Sequence, residues 1–373
     1  MERTLVVTND FPPRQGGIQT FVAALLATRP PESLVVLASD HPGSGEHDAG
    51  LPYPVVRART RMLLPTPAAA RTAAGLAHEH GCRTAFFGAA APLGLLAPGL
   101  RAAGVERLVG ATHGHETGWV ALPGARQVMQ RIAAGLDVLT YISDYTHALL
   151  TPALAGRTTM VQLSPGVDVD RFTPAADGAP VRERYGLDDA PVVVCVSRLV
   201  PRKGQDTLVR AWPRVLARHP RARLLLVGGG PLEADLRRAV AAAGLTGSVV
   251  FTGGVPNEQL PAHYAAGDVF AMPCRTRRRG LDVEGLGMVF LEAAACGLPV
   301  VAGTSGGAQE TVQEGVTGHV VDPHSPDAVA TVLADLLDDP DRRRAMGAAG
   351  RAWVEQRWSW TRIGQTFAAL LDP

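Results

Sequence analysis

Paired cysteines are what this chain most plainly lacks. Its four, Cys82, Cys195, Cys274 and Cys296, lie far apart with no recurring spacing. That pattern argues against a disulfide framework or a zinc site and fits a reducing compartment. They read as core thiols, the usual place of a free cysteine. An excess of either charge is missing as well: 36 Lys and Arg stand against 35 Asp and Glu. No nucleic acid is therefore an expected partner, and any basic function must be local. Long apolar runs are also missing. The uncharged stretch 84–100 contains Pro92 and Pro98 and falls short of the ~20 residues a membrane-spanning helix needs, so it reads as a buried strand followed by a loop or short helix. No basic-then-apolar leader precedes Thr4, and a cytoplasmic protein is expected.

What is present is alternation. The chain has 373 residues, more than one hydrophobic core usually serves. Short β-rich runs alternate with helix-period segments, the pattern of parallel sheets covered by helices. In the first half, strands are predicted at 5–8, 34–39, 85–88, 108–112, 138–143 and 160–163. In the second they are predicted at 192–196, 224–227, 249–252, 269–272, 300–302 and 319–321. Ile18, Phe21, Val22, Leu25 and Leu26 repeat at helical spacing. The fold class is therefore α/β with two Rossmann-like domains, 1–168 and 169–352, joined by a linker near 165–173. The segment 353–373 carries Trp353, Trp358, Trp360 and Phe367, too many aromatics for one small helix to bury alone, and is expected to pack back on the first domain.

Candidate chemistry gathers at strand ends. Glu284 and Glu292 flank a glycine bend, Gly285-Leu286-Gly287, that feeds a helix through Met288 and Val289. Such a helix start presents free N–H groups and a partial positive charge, a seat for phosphate. Arg198 and Lys203 follow the strand 192–196, at the carboxyl end where open α/β sheets bind ligands. Two cations there suit a diphosphate or form a solvated loop pair, with Arg202 read as the solvated one. Gly16 and Gly17 precede the first helix and allow a ligand close to the backbone, or merely a tight turn. His113 and His115 sit just after a strand, in a site role or a structural one. Asp168-Val169-Asp170 has the form of a metal motif, but hard cations need several converging oxygens, so no metal is expected. The loop Gly228-Gly229-Gly230 does not complete the dinucleotide fingerprint, because Glu233 stands where the third glycine belongs; a nicotinamide enzyme is disfavoured.

Taken with these residues, the chain resembles the retaining glycosyltransferases marked by a Glu-x7-Glu element and built on the GT-B fold, two Rossmann-like domains facing across a cleft. The likeness runs from Thr8 to the final helix. The stretches Thr8 to Arg14, Phe87 to Leu93, Thr112 to Glu116, Ser197 to Leu208 and Met272 to Arg277 resemble actinobacterial mannosyltransferases that add the second, α-1,6-linked mannose to phosphatidylinositol monomannoside. The resemblance implies GDP-mannose held by the second domain and a lipid acceptor held by the first. It places Arg198 and Lys203 on the diphosphate, Val255 by the base, and Glu284 with the backbone of Gly285, Leu286, Gly287, Met288 and Val289 on sugar and phosphate. It puts Glu292 on ribose hydroxyls and Gly17, beside Gly16, opposite the diphosphate across the cleft. His113 matches the active-site histidine, while His115 and Asp10 are the acceptor-side candidates.

Three residues depart from the family pattern. Arg278 and Arg279 replace small glycine-like residues, and Gln309 replaces a proline. They flank the donor site and bear on sugar or acceptor detail. Glu284 is not read as a nucleophile, no well-placed second carboxylate being evident in the first half; the donor phosphate serves as base. No metal or other cofactor is expected. The rival readings are a UDP-sugar with a soluble or different lipid acceptor, a sugar-nucleotide epimerase, and a non-catalytic nucleotide-binding protein. A lipid acceptor demands a membrane surface, and Arg57, Arg59 and Arg61 alternate ahead of Met62-Leu63-Leu64 as a candidate docking tip or, alternatively, a solvated strand edge. The expected place of work is the inner face of the plasma membrane, with the oligomeric state left open.

Overall fold

A computed structural model describes residues 3–372, without the Arg279 side chain, whose flagged departure lies outside the described residues. The chain divides into two compact units, Met1–Gly166 with Trp360–Pro373, and Val167–Ser359.

The first unit holds a seven-stranded sheet in the order β3-β2-β1-β4-β5-β6-β7. Its strands are β1 (Arg3–Thr8), β2 (Leu34–Ser39), β3 (Val55–Ala58), β4 (Cys82–Phe87), β5 (Arg107–Ala111), β6 (Val138–Tyr141) and β7 (Thr159–Gln162). All neighbours pair in parallel. β1 is buried from Thr4 to Thr8 and β2 throughout, as continuous apolar runs between two helix layers require. β3 was not expected from the sequence. It is a short edge strand, half-buried at every position and interrupted by Arg57, so it carries no apolar run to read. The helix Gly17–Ala27 buries Phe21, Val22, Leu25 and Leu26 as its periodicity predicts. It also buries Gln19, which the periodicity does not predict.

The second unit holds a six-stranded parallel sheet, order β10-β9-β8-β11-β12-β13. The strands are β8 (Val192–Val196), β9 (Arg223–Val227), β10 (Val249–Gly253), β11 (Val269–Met272), β12 (Val300–Gly303) and β13 (Gly318–Val321). The helices Gln205–Arg218 and Pro326–Asp338 are among those that cover it. Trp353 and Trp358 pack in this unit, Trp358 fully buried, while Trp360 and Phe367 belong to the core of the first. The aromatic C-terminal stretch thus serves two cores, and the chain changes unit between Ser359 and Trp360.

Each strand order reverses once, between β1 and β4 in one sheet and between β8 and β11 in the other. Neighbouring loops there run in opposite directions from the carboxyl ends and leave a crevice, the usual ligand seat of such sheets.

Candidate active site

In the second unit the loops after β8 and β11 meet at that reversal. Lys203 lies on the first loop, and its Nζ donates to Glu284 Oε2 at 2.6 Å, with both residues buried. What brings the loops so close is Gly204. Its φ is +79°, and a Cβ there would stand 2.0 Å from the Pro273 carbonyl oxygen, so only glycine closes the turn. The Glu284 backbone is gripped from the loop after β12. Its N–H donates to Ser305 Oγ at 3.0 Å, and its carbonyl accepts from the Gly307 N–H at 3.1 Å. A Cβ at Gly306 would lie 2.2 Å from the Glu284 carbonyl oxygen.

Arg202, read as the solvated cation, is half-buried. Arg198 is the exposed one, with no side-chain partner among the described residues. Arg202 instead leans on the acidic groups, its Nε 3.5 Å from Glu284 Oε2 and its guanidinium 3.7 Å from Asp282. Sequence order could not decide this, because Arg202 lies on the short 3-10 turn Pro201–Lys203 and Arg198 ahead of it. On the loop after β8 the exposed cation is Arg198, while Lys203 is buried and paired with Glu284.

The helix Met288–Ala295 starts at Gly287, φ +91°, so the first N–H groups at Met288 and Val289 lie beyond the reach of intrahelical partners. Glu292 sits one turn in. Its Oε2 accepts from the Tyr264 hydroxyl at 2.7 Å, and burial pushes its carboxyl above the ordinary range. Val255 follows β10, half-buried. Arg278 is exposed with φ +50°, a left-handed backbone where a glycine-like residue is the easier choice. Gln309 is exposed and donates to the Thr304 carbonyl. Asp168 is occupied by its own turn: Oδ1 accepts the N–H groups of Asp170 and Arg171 at 3.2 and 3.0 Å.

In the first unit Asp10, Gly16, Gly17 and the two histidines follow strands β1 and β5. Gln19, the unexpected buried polar residue, donates to Asp10 Oδ1 at 2.7 Å and so fixes the acidic group at the loop. A Cβ at Gly17 would meet nothing within 4 Å, which leaves that helix start open. His113 contacts the Gly88 carbonyl through Nε2 at 2.6 Å. A carbonyl only accepts, so Nε2 carries the proton, and in the neutral ring Nδ1 is the acceptor. Burial holds the His113 pKa below the ordinary histidine value, favouring that neutral ring. Glu116 was not singled out in the sequence. It is fully buried, takes the His113 N–H at 2.9 Å on one oxygen and lies 3.3 Å from His115 Nε2 on the other. It organises the histidine loop and faces no open space as a nucleophile would.

One expected site residue is placed elsewhere. Arg57 is bound inward, bidentate to Asp48 at 2.7 and 2.8 Å, donating to the carbonyls of Ser39 and Pro12 and lying over the Phe11 ring. Its guanidinium cannot also serve a lipid surface. Arg59 and Arg61 are exposed.

Residues 180–353 match the family described as glycosyl transferases group 1. Over 99% of its length the chain is 52% identical to a GDP-mannose-dependent alpha-(1-6)-phosphatidylinositol monomannoside mannosyltransferase of Mycolicibacterium smegmatis, covering 98% of that protein. The chain belongs to this glycosyltransferase family. A second relative, from Corynebacterium glutamicum, is a GDP-mannose-dependent monoacylated alpha-(1-6)-phosphatidylinositol monomannoside mannosyltransferase, 49% identical over 99% of this chain and 98% of its own. Among solved structures, Anabaena HepE in complex with UDP superposes with a TM-score of 0.79, covering 100% of this chain and 99% of that one at 22% identity. That likeness bears on the fold, two Rossmann-like α/β domains of the GT-B class. No helix among the described residues is long and apolar enough to cross a membrane.

Proposed function

We propose that this glycosyltransferase moves mannose from GDP-mannose to a phosphatidylinositol monomannoside, forming an α-1,6 linkage with retention at the sugar carbon. The observation that carries the reading is the meeting of Lys203, Glu284 and the helix start at Met288, on a chain 52% identical over nearly its full length to a protein named for that reaction. Breaking the sugar–phosphate bond drives negative charge onto the departing diphosphate. Arg198, Lys203 and the N–H groups of Met288 and Val289 supply fixed positive potential for it, while Glu284 takes sugar hydroxyls. Neutral His113, with Nδ1 as acceptor, can orient a hydroxyl of the transferred sugar. The acceptor side is assigned to Asp10 and His115. Incubating the purified protein with GDP-mannose and phosphatidylinositol monomannoside should yield a product heavier by one hexose, with GDP competing better than UDP. Equal competition by UDP, or transfer only from a UDP-sugar, overturns the donor assignment.

The positive groups around the diphosphate seat make a metal unnecessary in this reading. Activity is expected to persist in EDTA. Loss restored by manganese alone would reassign the chemistry to a divalent cation.

A lipid acceptor places the enzyme at a membrane surface, which we assign to the inner face of the plasma membrane. The free cysteines, all four buried, suit a reducing side. With Arg57 engaged elsewhere, the docking tip is Arg59 and Arg61 beside Met62 and Leu64, which are 61% and 49% exposed. Arg59→Ser with Arg61→Ser should weaken sedimentation with phosphatidylinositol-containing vesicles roughly 30-fold, given the usual contribution of each cation near anionic headgroups. GDP affinity should stay constant. Equal sedimentation of variant and parent in low salt would move the docking surface elsewhere.

A further inference from the structure

Tyr264 lies on the helix Leu260–Ala265, twenty-eight residues before Glu292 in the chain, and is fully buried. Its ring packs edge-on against Phe172 and tilted against Phe270, both at 5.8 Å between centroids. A hydroxyl held by so apolar a neighbourhood needs a partner, and this one has Glu292 Oε2 at 2.7 Å. One oxygen tied in this way stops the carboxylate rotating. The other, Oε1, accepts no hydrogen bond from the described residues, and a carboxylate has lone pairs for further donors on both oxygens.

We propose that Tyr264 is a positioning residue that locks the Glu292 carboxylate for the two hydroxyls of a ribose, and so sets the preference for ribonucleotide over deoxyribonucleotide donors. This rests on the reading of Glu292 as the ribose ligand. A vicinal diol offers two donors at fixed separation, which a static carboxylate receives together and a rotating one does not. The same hydrogen bond holds charge on the carboxylate. Burial works to raise the Glu292 pKa, while Tyr264, Arg171 and Lys203 lower it. Cys296, one turn further along, is itself pushed up to about 12 and stays an uncharged thiol. Removing the Tyr264 hydroxyl removes a hydrogen-bond donor that favours the charged form. Glu292 then takes its proton at higher pH, and the acid side of ribose binding is lost earlier on acidification.

The test compares GDP with 2′,3′-dideoxy-GDP by titration calorimetry on the full chain, as parent, Tyr264→Phe and Glu292→Gln, across pH. Tyr264→Phe keeps the ring and is expected to melt as a folded protein. It should narrow the preference for GDP by ~10-fold, through weaker GDP binding alone, and shift the acid limb of GDP affinity to higher pH. Glu292→Gln should narrow the preference at least as much and abolish that limb. If Tyr264→Phe keeps the parental preference and limb while Glu292→Gln loses both, the positioning role is wrong and the ribose reading stands. Equal weakening of both nucleotides by Tyr264→Phe is a purely structural effect and also overturns it. Should Glu292→Gln retain the full preference, the ribose reading falls and takes the proposal with it.

Discussion

Lys203→Ala should lower turnover by ~10²-fold or more and destabilise the protein by about 3–5 kcal/mol. The two losses have one source. Lys203 is buried with its Nζ 2.6 Å from Glu284 Oε2, and Glu284 is itself buried. Removing the cation leaves a carboxylate out of water with, among the described residues, the Arg202 guanidinium as its remaining ion-pair partner, at 3.5 Å. An unpaired buried charge is costly, whereas replacing both partners together is cheap by comparison. The double change Lys203→Ala with Glu284→Gln should therefore regain most of the stability and none of the turnover. Chemical denaturation and steady-state rates at saturating donor read the two effects separately. A single variant as stable as the parent would show that the pair is not bearing on the fold, and one with near-parental turnover would remove Lys203 from the leaving-group role.

Arg198→Ala carries the same charge change with the opposite structural consequence. The side chain is exposed and has no partner among the described residues, so the melting curve should not move. Turnover should fall ~10²-fold, because a charge aimed at a developing oxyanion contributes most in the transition state. The contrast with Lys203 is the informative measurement: two cations on one loop, one coupled to stability and one not. Near-normal turnover of Arg198→Ala at saturating donor would shift the leaving-group role to Arg202.

Exposure reverses the order in which sequence ranked these cations. Arg198, Arg202 and Lys203 are near neighbours in the chain, and nothing in their spacing says which turns toward the acidic side chains. The answer depends on Glu284 and Asp282, some eighty residues later, being carried against the loop by β11. Arg57 failed as a lipid contact for the same reason. Its partners, Asp48 on the helix Ser44–Ala49, Ser39 at the end of β2 and Pro12 in the loop after β1, come together when β2 and β3 pair. A periodic row of arginines looks alike on a solvated edge and on a strand whose first member turns inward.

Local pattern did determine every strand but β3 in the two parallel sheets, the first helix, and the strand ends after which Arg198, Lys203 and His113 lie. Apolar runs and helical spacing are properties of a few consecutive residues, and burying them leaves few arrangements open. The glycine bend before the donor helix was legible for a related reason: Gly287 marks a turn whose positive φ other residues resist. Only the tertiary structure decided what the side chains do there. Gln19 on Asp10, Glu116 under the histidines, Tyr264 on Glu292 and Ser305 on Glu284 are polar contacts between loops, between a loop and a helix, or between two helices. Two of these, Tyr264 on Glu292 and Ser305 on Glu284, join segments 28 and 21 residues apart in the chain. The sequence carries each partner but not their meeting, because a side-chain contact depends on distance in space and leaves no period along the chain.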